Sequence, residues 1–171
     1  RSVDDQLVPI QEALDKVDDK AFVEKEKKNW KKGLASHYFS YANTKQKAGV
    51  DMEKDVNFMK YVKGINFNDT LQESALMYYL DWYVVAHPDL AQKEMPVNAV
   101  KLRYLKTLVS NQDMRNKVAR TLLTAHLFMQ MLGADISETI PFIYREYLEV
   151  STDPQTCEYA RTQLKIIDNT A

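Results

Sequence analysis

Apolar and polar positions along residues 70–87 keep a helical period but leave almost no polar face. At about 100° per residue, Leu71, Ala75, Tyr78, Tyr79, Trp82 and Val85 form one apolar arc. Leu76, Leu80, Tyr83 and Val84 form a second arc on the far side, and only Glu73, Ser74 and Asp81 interrupt the surface. A helix of this kind needs protein on most of its sides, which places it at the centre of a multi-helix body. Thr70 followed three residues later by Glu73 reads as a capping box, and Pro88 marks the stop.

The flanking segments carry narrower stripes. Val3, Leu7, Ile10, Leu14 and Val17 recur at helical spacing, with Pro9 placing the start of the helix proper near that residue. Asp18-Asp19 opens a long helix whose stripe is Val23, Trp30, Leu34, Tyr38 and Tyr41, continuous across Gly33. Residues 45–51 form a turn at Gly49; Val56, Phe58, Met59 and Val62 then predict a short helix closed by Gly64. A polar connector with a buried Phe67 leads into the central helix. Pro96 opens a helix bearing Val97, Val100, Tyr104 and Leu108. Asn111 or Asp113 caps the next helix, with Val118, Leu122, Ala125, Met129 and Leu132 inward and Leu123, Leu127, Phe128 and Met131 widening its apolar surface. Ser137 starts another, with Ile140, Ile143, Tyr144, Tyr147 and Leu148 facing the core. Asp153-Pro154 starts the last, with Cys157, Ala160, Leu164 and Ile167 inward. The pattern predicts one all-α domain over residues 1–171, about seven or eight helices packed as antiparallel pairs around the central helix.

Composition agrees. Four glycines and five prolines in 171 residues leave little material for hairpin turns. A formal charge of −1 gives no whole-protein field toward nucleic acid or an anionic membrane. Arg1-Ser-Val-Asp-Asp lacks the apolar run of a secretory leader, and runs 75–80 and 82–86 are too short to span a bilayer.

Candidate chemistry is sparse. Cys157 is the single cysteine, so neither an internal disulfide nor dithiol exchange is open to this segment, and its place on an apolar stripe makes it core. His37, His87 and His126 are scattered without metal-ligand spacing: His126 reads as a hydrogen-bonded core residue and His87 as a partner for free helix-end carbonyls. Asp81, between Leu80 and Trp82, is either a buried general acid or a carboxylate bonded to a Tyr hydroxyl or a Lys, the second being favoured. Residues 25–32 mix lysines with Trp30, but Trp30 is in phase with the stripe, which leaves the lysines on a solvated face. No catalytic, metal or cofactor residue is assigned, and no nucleic acid is expected. Tyr78, Tyr79, Trp82 and Tyr83 read chiefly as core, and are the candidates for whatever aromatic surface meets a partner.

The order of segments resembles the helical region that precedes the thioredoxin domain in TlpA-like thiol-disulfide oxidoreductases of Bacteroidetes. Residues 56–71, the aromatic helix 71–86 and the tail 153–171 carry the likeness. The family's Cys-x-x-Cys is missing here, so no catalytic residue is carried over. The resemblance implies a non-catalytic accessory module, periplasmic or otherwise extracytoplasmic, that positions or selects partners for a redox domain. That domain would follow in cis, and the partner would be either it or a protein substrate. A free-standing helical peptide- or protein-binding domain is the first alternative, and an enzyme with a helix-lined pocket around Asp81 the second.

Overall fold

Short polar side chains decide where four of the eight described helices begin. The carboxylate of Asp19 accepts from the Phe22 N–H, Asp55 from Phe58, and Asp153 from Thr156, while the Asn111 side chain accepts from Met114. Each satisfies a backbone donor that the first helical turn leaves free. The computed structural model describes residues 3–90 and 95–170, with side chains from Leu7 onward. Among the described residues there are eight α-helices and no strand, the all-α class that the apolar periods predict. They are α1 (Val3–Asp15), α2 (Lys20–Lys47), α3 (Val56–Gly64), α4 (Glu73–Ala86), α5 (Val97–Leu108), α6 (Gln112–Met131), α7 (Ile140–Val150) and α8 (Pro154–Thr170). Short 3₁₀ turns lie at Met52–Lys54, Thr70–Gln72 and Pro88–Leu90.

Helix α4 is central because its two apolar arcs enter two different cores. Ala75 and Trp82 join Ala35, Phe39, Met52, Phe58 and Val62 in an aromatic-rich core built from α2 and α3. Leu76 and Leu80 join an aliphatic core drawn from α5, α6, α7 and α8, including Leu102, Leu105, Leu122, Ile143 and Tyr147. Tyr83 departs from the predicted arcs and packs with the aromatic core. Successive helices from α4 to α8 pack on one another.

Two asparagines clamp the connections at one end of the aliphatic core. Asn68 Oδ1 accepts from the backbone N–H groups of Ser110 and Asn111, both at 2.9 Å. Asn116 Oδ1 accepts from Thr152 N at 2.9 Å, while Gln112 donates to the Val150 carbonyl at the end of α7. Arg115 donates to the carbonyls of Val109 and Lys106, free acceptors at the end of α5.

Several local expectations need correction. The capping box at Thr70 does not form: Asp69 caps the Thr70–Gln72 turn, and α4 starts at Glu73 without a side-chain cap. Helix α1 runs through Pro9 rather than starting there. Gly64 ends α3 without a positive φ; the left-handed glycines are Gly49 and Gly133, both in turns. Helix α7 starts at Ile140, because Asp135 holds Ser137 in a preceding turn. Phe67 is half-buried, and Tyr41, Val56, Val85 and Val97 face solvent. In α2 the close contact is made by Ala35, Phe39 and Ala42, whose two small residues let α4 approach where Tyr41 would hold it off. The last turns of α6 leave the body: Ala125, Phe128, Met129, Met131 and Leu132 are exposed, although the stripe placed them inward. The side chain of Val3, and Ala171, lie outside the described residues.

Candidate functional site

The four aromatic candidates of α4 separate into a base and a face. Trp82 is the base, 1% exposed, with its ring edge-on to Phe58 at 4.9 Å. Its Nε1–H has no hydrogen-bond partner among the described residues. Tyr78, one turn earlier, lies parallel to Phe39 with centroids 6.3 Å apart. Tyr79 and Tyr83 are half-buried and lie on the helix at i and i+4, where side chains neighbour each other.

These two tyrosines form the middle of a row. Phe67 meets Tyr79 at 5.0 Å, Tyr79 lies nearly parallel to Tyr83 at 5.5 Å, and Tyr83 meets His87 at 4.3 Å. Tyr104 of α5 adds a second side, 5.3 Å from Tyr83. Glu53, in the 3₁₀ turn before α3, places Oε1 2.5 Å from His87 Nε2 and closes the end of the row. His87 therefore binds a distant carboxylate, where helix-end carbonyls were expected.

Burial and nearby negative charge hold the phenols of Tyr79 and Tyr83 neutral. Tyr79 is pushed up to about 12, first by burial, then by Tyr83 and Glu53. Tyr83 is also raised, by burial and then by Tyr104, Glu53 and Asp89. The row presents flat aromatic faces and the phenol groups of Tyr79 and Tyr83 near the carboxylates of Glu53 and Asp89. Such a surface can stack on apolar or aromatic groups and attract a cation.

The remaining candidates stand apart from the row. Asp81 is half exposed and accepts from Lys101, which is the Lys-bonded reading of that carboxylate. Cys157 is buried, and its thiol donates to the Ser151 carbonyl at 3.3 Å. His126 is buried with Nε2 3.1 Å from Thr139 Oγ1. Since Thr139 gives its own proton to the Ile136 carbonyl, the imidazole N–H donates to Thr139. Desolvation lowers the His126 pKa. His37 lies on the exposed side of α2, edge-on to Tyr38 at 5.9 Å. In the run 25–32, Trp30 is half-buried, Lys27 pairs with Asp15, and Lys31 pairs with Asp69, while Lys25, Lys28 and Lys32 are exposed. Among the described residues, no group of three or more His, Cys, Asp or Glu could hold a metal ion, and no helix is long and apolar enough to cross a membrane.

Sequence reasoning missed Glu53 and did not connect Tyr104 or Phe67 to the cluster. The spacing Tyr79, Tyr83, His87 was the available signal for the row, since i, i+4 and i+8 share a helix face. Nothing in the sequence pointed to Glu53, which reaches His87 across 34 residues. No family model, curated protein or solved structure matches this chain.

Proposed function

We propose that this chain is a non-catalytic helical interaction module whose working surface is the row Tyr79, Tyr83, Tyr104 and His87. The observation that carries this reading is the pairing of half-exposed tyrosines with a rigid buried base. Trp82, Phe39 and Phe58 fix the backbone of α4 beneath them. Rings already held in place lose little conformational entropy when a partner covers them, which is why tyrosine suits interfaces. The partner buries an apolar or aromatic side chain on the row, and Glu53 and Asp89 favour a neighbouring lysine or arginine.

The resemblance in segment order supplies the class of partner. It is a thioredoxin-fold redox domain of the TlpA-like kind, in cis or as a separate chain, or a protein substrate of that domain, outside the cytoplasm. The test is a titration of this chain with such a domain, followed through the tyrosine ring resonances. The expected result is that Tyr79, Tyr83 and Tyr104 shift together and that Tyr83→Ala abolishes the response. Unmoved ring resonances at domain concentrations of about 1 mM, where even weak encounters register, would overturn the reading.

A further inference from the structure

His87 brings to the tyrosine row an imidazole, the side-chain group that changes charge near neutral pH. Its Nε2 lies 2.5 Å from Glu53 Oε1, and its ring centroid lies 4.3 Å from that of Tyr83. An ionised carboxylate only accepts, so with the imidazole neutral Nε2 carries the hydrogen and donates it to Glu53. The pair then holds one negative charge. Once Nδ1 also takes up a proton the contact becomes an ion pair, and the net charge of the two side chains falls to zero.

The groups around His87 make that change count. The Met52–Lys54 turn brings Glu53, α4 brings Tyr83 with Tyr79 behind it, the Pro88–Leu90 turn brings Asp89, and α5 brings Tyr104 against Tyr83. Among the described residues, the charged groups acting on the Tyr83 phenol are the carboxylates of Glu53 and Asp89. The neighbouring basic residues are engaged elsewhere: Lys54 pairs with Asp51, Lys101 with Asp81 and Arg103 with Glu146. Glu53 and His87 keep 43% and 25% of their side chains exposed, so water reaches the pair and a partner's charge senses it.

We infer that His87 makes the docking of a cationic partner group on this row pH-dependent, an inference that rests on the reading of the row as a docking surface. Above neutrality Glu53 and Asp89 give the end of the row a net negative charge that favours a lysine or arginine. On mild acidification the imidazolium cancels Glu53 from within the chain. It also sets a cation against the Tyr83 ring, the contact that a partner's cation would use. Docking of a cationic group therefore weakens as pH falls.

The probe is the capped dipeptide N-acetyl-Trp-Arg-amide, whose guanidinium stays charged throughout, with N-acetyl-Trp-Gln-amide as the uncharged comparison. Each is titrated into the chain at about pH 8 and about pH 5.5, the latter still above the ordinary carboxylate range, and followed through the tyrosine ring resonances. Salt at about 150 mM screens charges beyond the site. The expected result is a Kd for the arginine peptide that rises at least about threefold at the lower pH, while that of the glutamine peptide stays within about 1.5-fold. In His87→Gln, checked for folding by circular dichroism, the ratio of the two arginine-peptide Kd values should fall to about one. An equal Kd at both pH values in the parent, which needs no variant to be read, overturns the inference and leaves the docking reading standing. A ratio that His87→Gln retains also overturns it, because another group then titrates. Ring resonances unmoved by both peptides at about 50 mM would overturn the docking reading itself, and this inference with it.

Discussion

His87 Nε2 lies 2.5 Å from Glu53 Oε1, joining the residue after α4 to a turn that precedes α3. The contact has two effects. It ties the end of the central helix to the aromatic core through the neighbouring Met52, which is fully buried. It also holds the imidazole against the Tyr83 ring, so the geometry of the tyrosine row depends on it.

The Glu53–His87 pair should show a measurable coupling. The two side chains are 43% and 25% exposed, so solvent screens their attraction. A double-mutant cycle with Glu53→Gln and His87→Ala, read by urea unfolding, is expected to give a coupling of about 0.5–1 kcal/mol. A value indistinguishable from zero would show that the short contact does not hold the row together.

Tyr79 should impose a loss of stability at alkaline pH. Its folded pKa, raised from 10.0 to about 12 chiefly by burial, means that the unfolded chain releases the proton first. The contribution is complete below about pH 10 and is lost as pH rises through about 12. Tyr79→Phe, which keeps the ring and removes the titration, should flatten the fall in urea midpoint over that window. An unchanged alkaline limb in the variant would contradict the assigned burial.

On the acid side the corresponding group is His126. Desolvation lowers its pKa from 6.5, so the unfolded chain takes up the proton first as pH falls. Its contribution is complete above about pH 6.5 and is lost on acidification through the lower folded value. His126→Gln keeps a donor toward Thr139 and removes the charge change. The variant should be less stable at neutral pH yet lose less stability than the parent between about pH 6.5 and the onset of carboxylate protonation.

What the sequence disclosed follows from how local each signal is. The helices of the body were legible because three- and four-residue recurrence is read within one turn, and Asn111 and Asp153 cap where their spacing placed them. The two arcs of residues 71–86 became two cores, joined through Leu76 and Leu80 on one side and Ala75 and Trp82 on the other. Periodicity failed where a helix outruns its neighbours: Met129 and Leu132 keep the α6 phase but are exposed among the described residues. It also failed where contacts are long-range, as with Glu53 and His87, or Asn68 and Asn111, which are 43 residues apart. Trp82 was placed correctly within its arc, but the division of its neighbours into a buried base and a half-exposed row depends on how closely α5 covers Tyr83.

Cys157 should behave as an inert core thiol. It is 3% exposed and already bonded to the Ser151 carbonyl. Labelling by a disulfide reagent is expected to be negligible in native buffer and rapid once urea unfolds the chain. Cys157→Ala removes the packed sulfur and leaves that carbonyl one partner short, at a cost of about 1–2 kcal/mol. Rapid native labelling would mean that α8 opens readily from α7.

The two ends of α6 offer a matched comparison within one helix. Leu122 is 1% exposed and packs in the aliphatic core, whereas Leu132, just past the last turn, is 67% exposed. Truncating the first removes buried methyl groups and leaves a cavity that the surrounding helices fill only in part. Leu122→Ala should therefore cost about 2–5 kcal/mol in urea unfolding. Leu132→Ala removes groups that already meet water and should change stability by less than about 0.5 kcal/mol. Measured at protein concentrations of about 1 µM, where weak association is negligible, this contrast isolates intramolecular packing. A cost above about 1 kcal/mol for Leu132→Ala would mean that the end of α6 is covered in solution by another part of the chain.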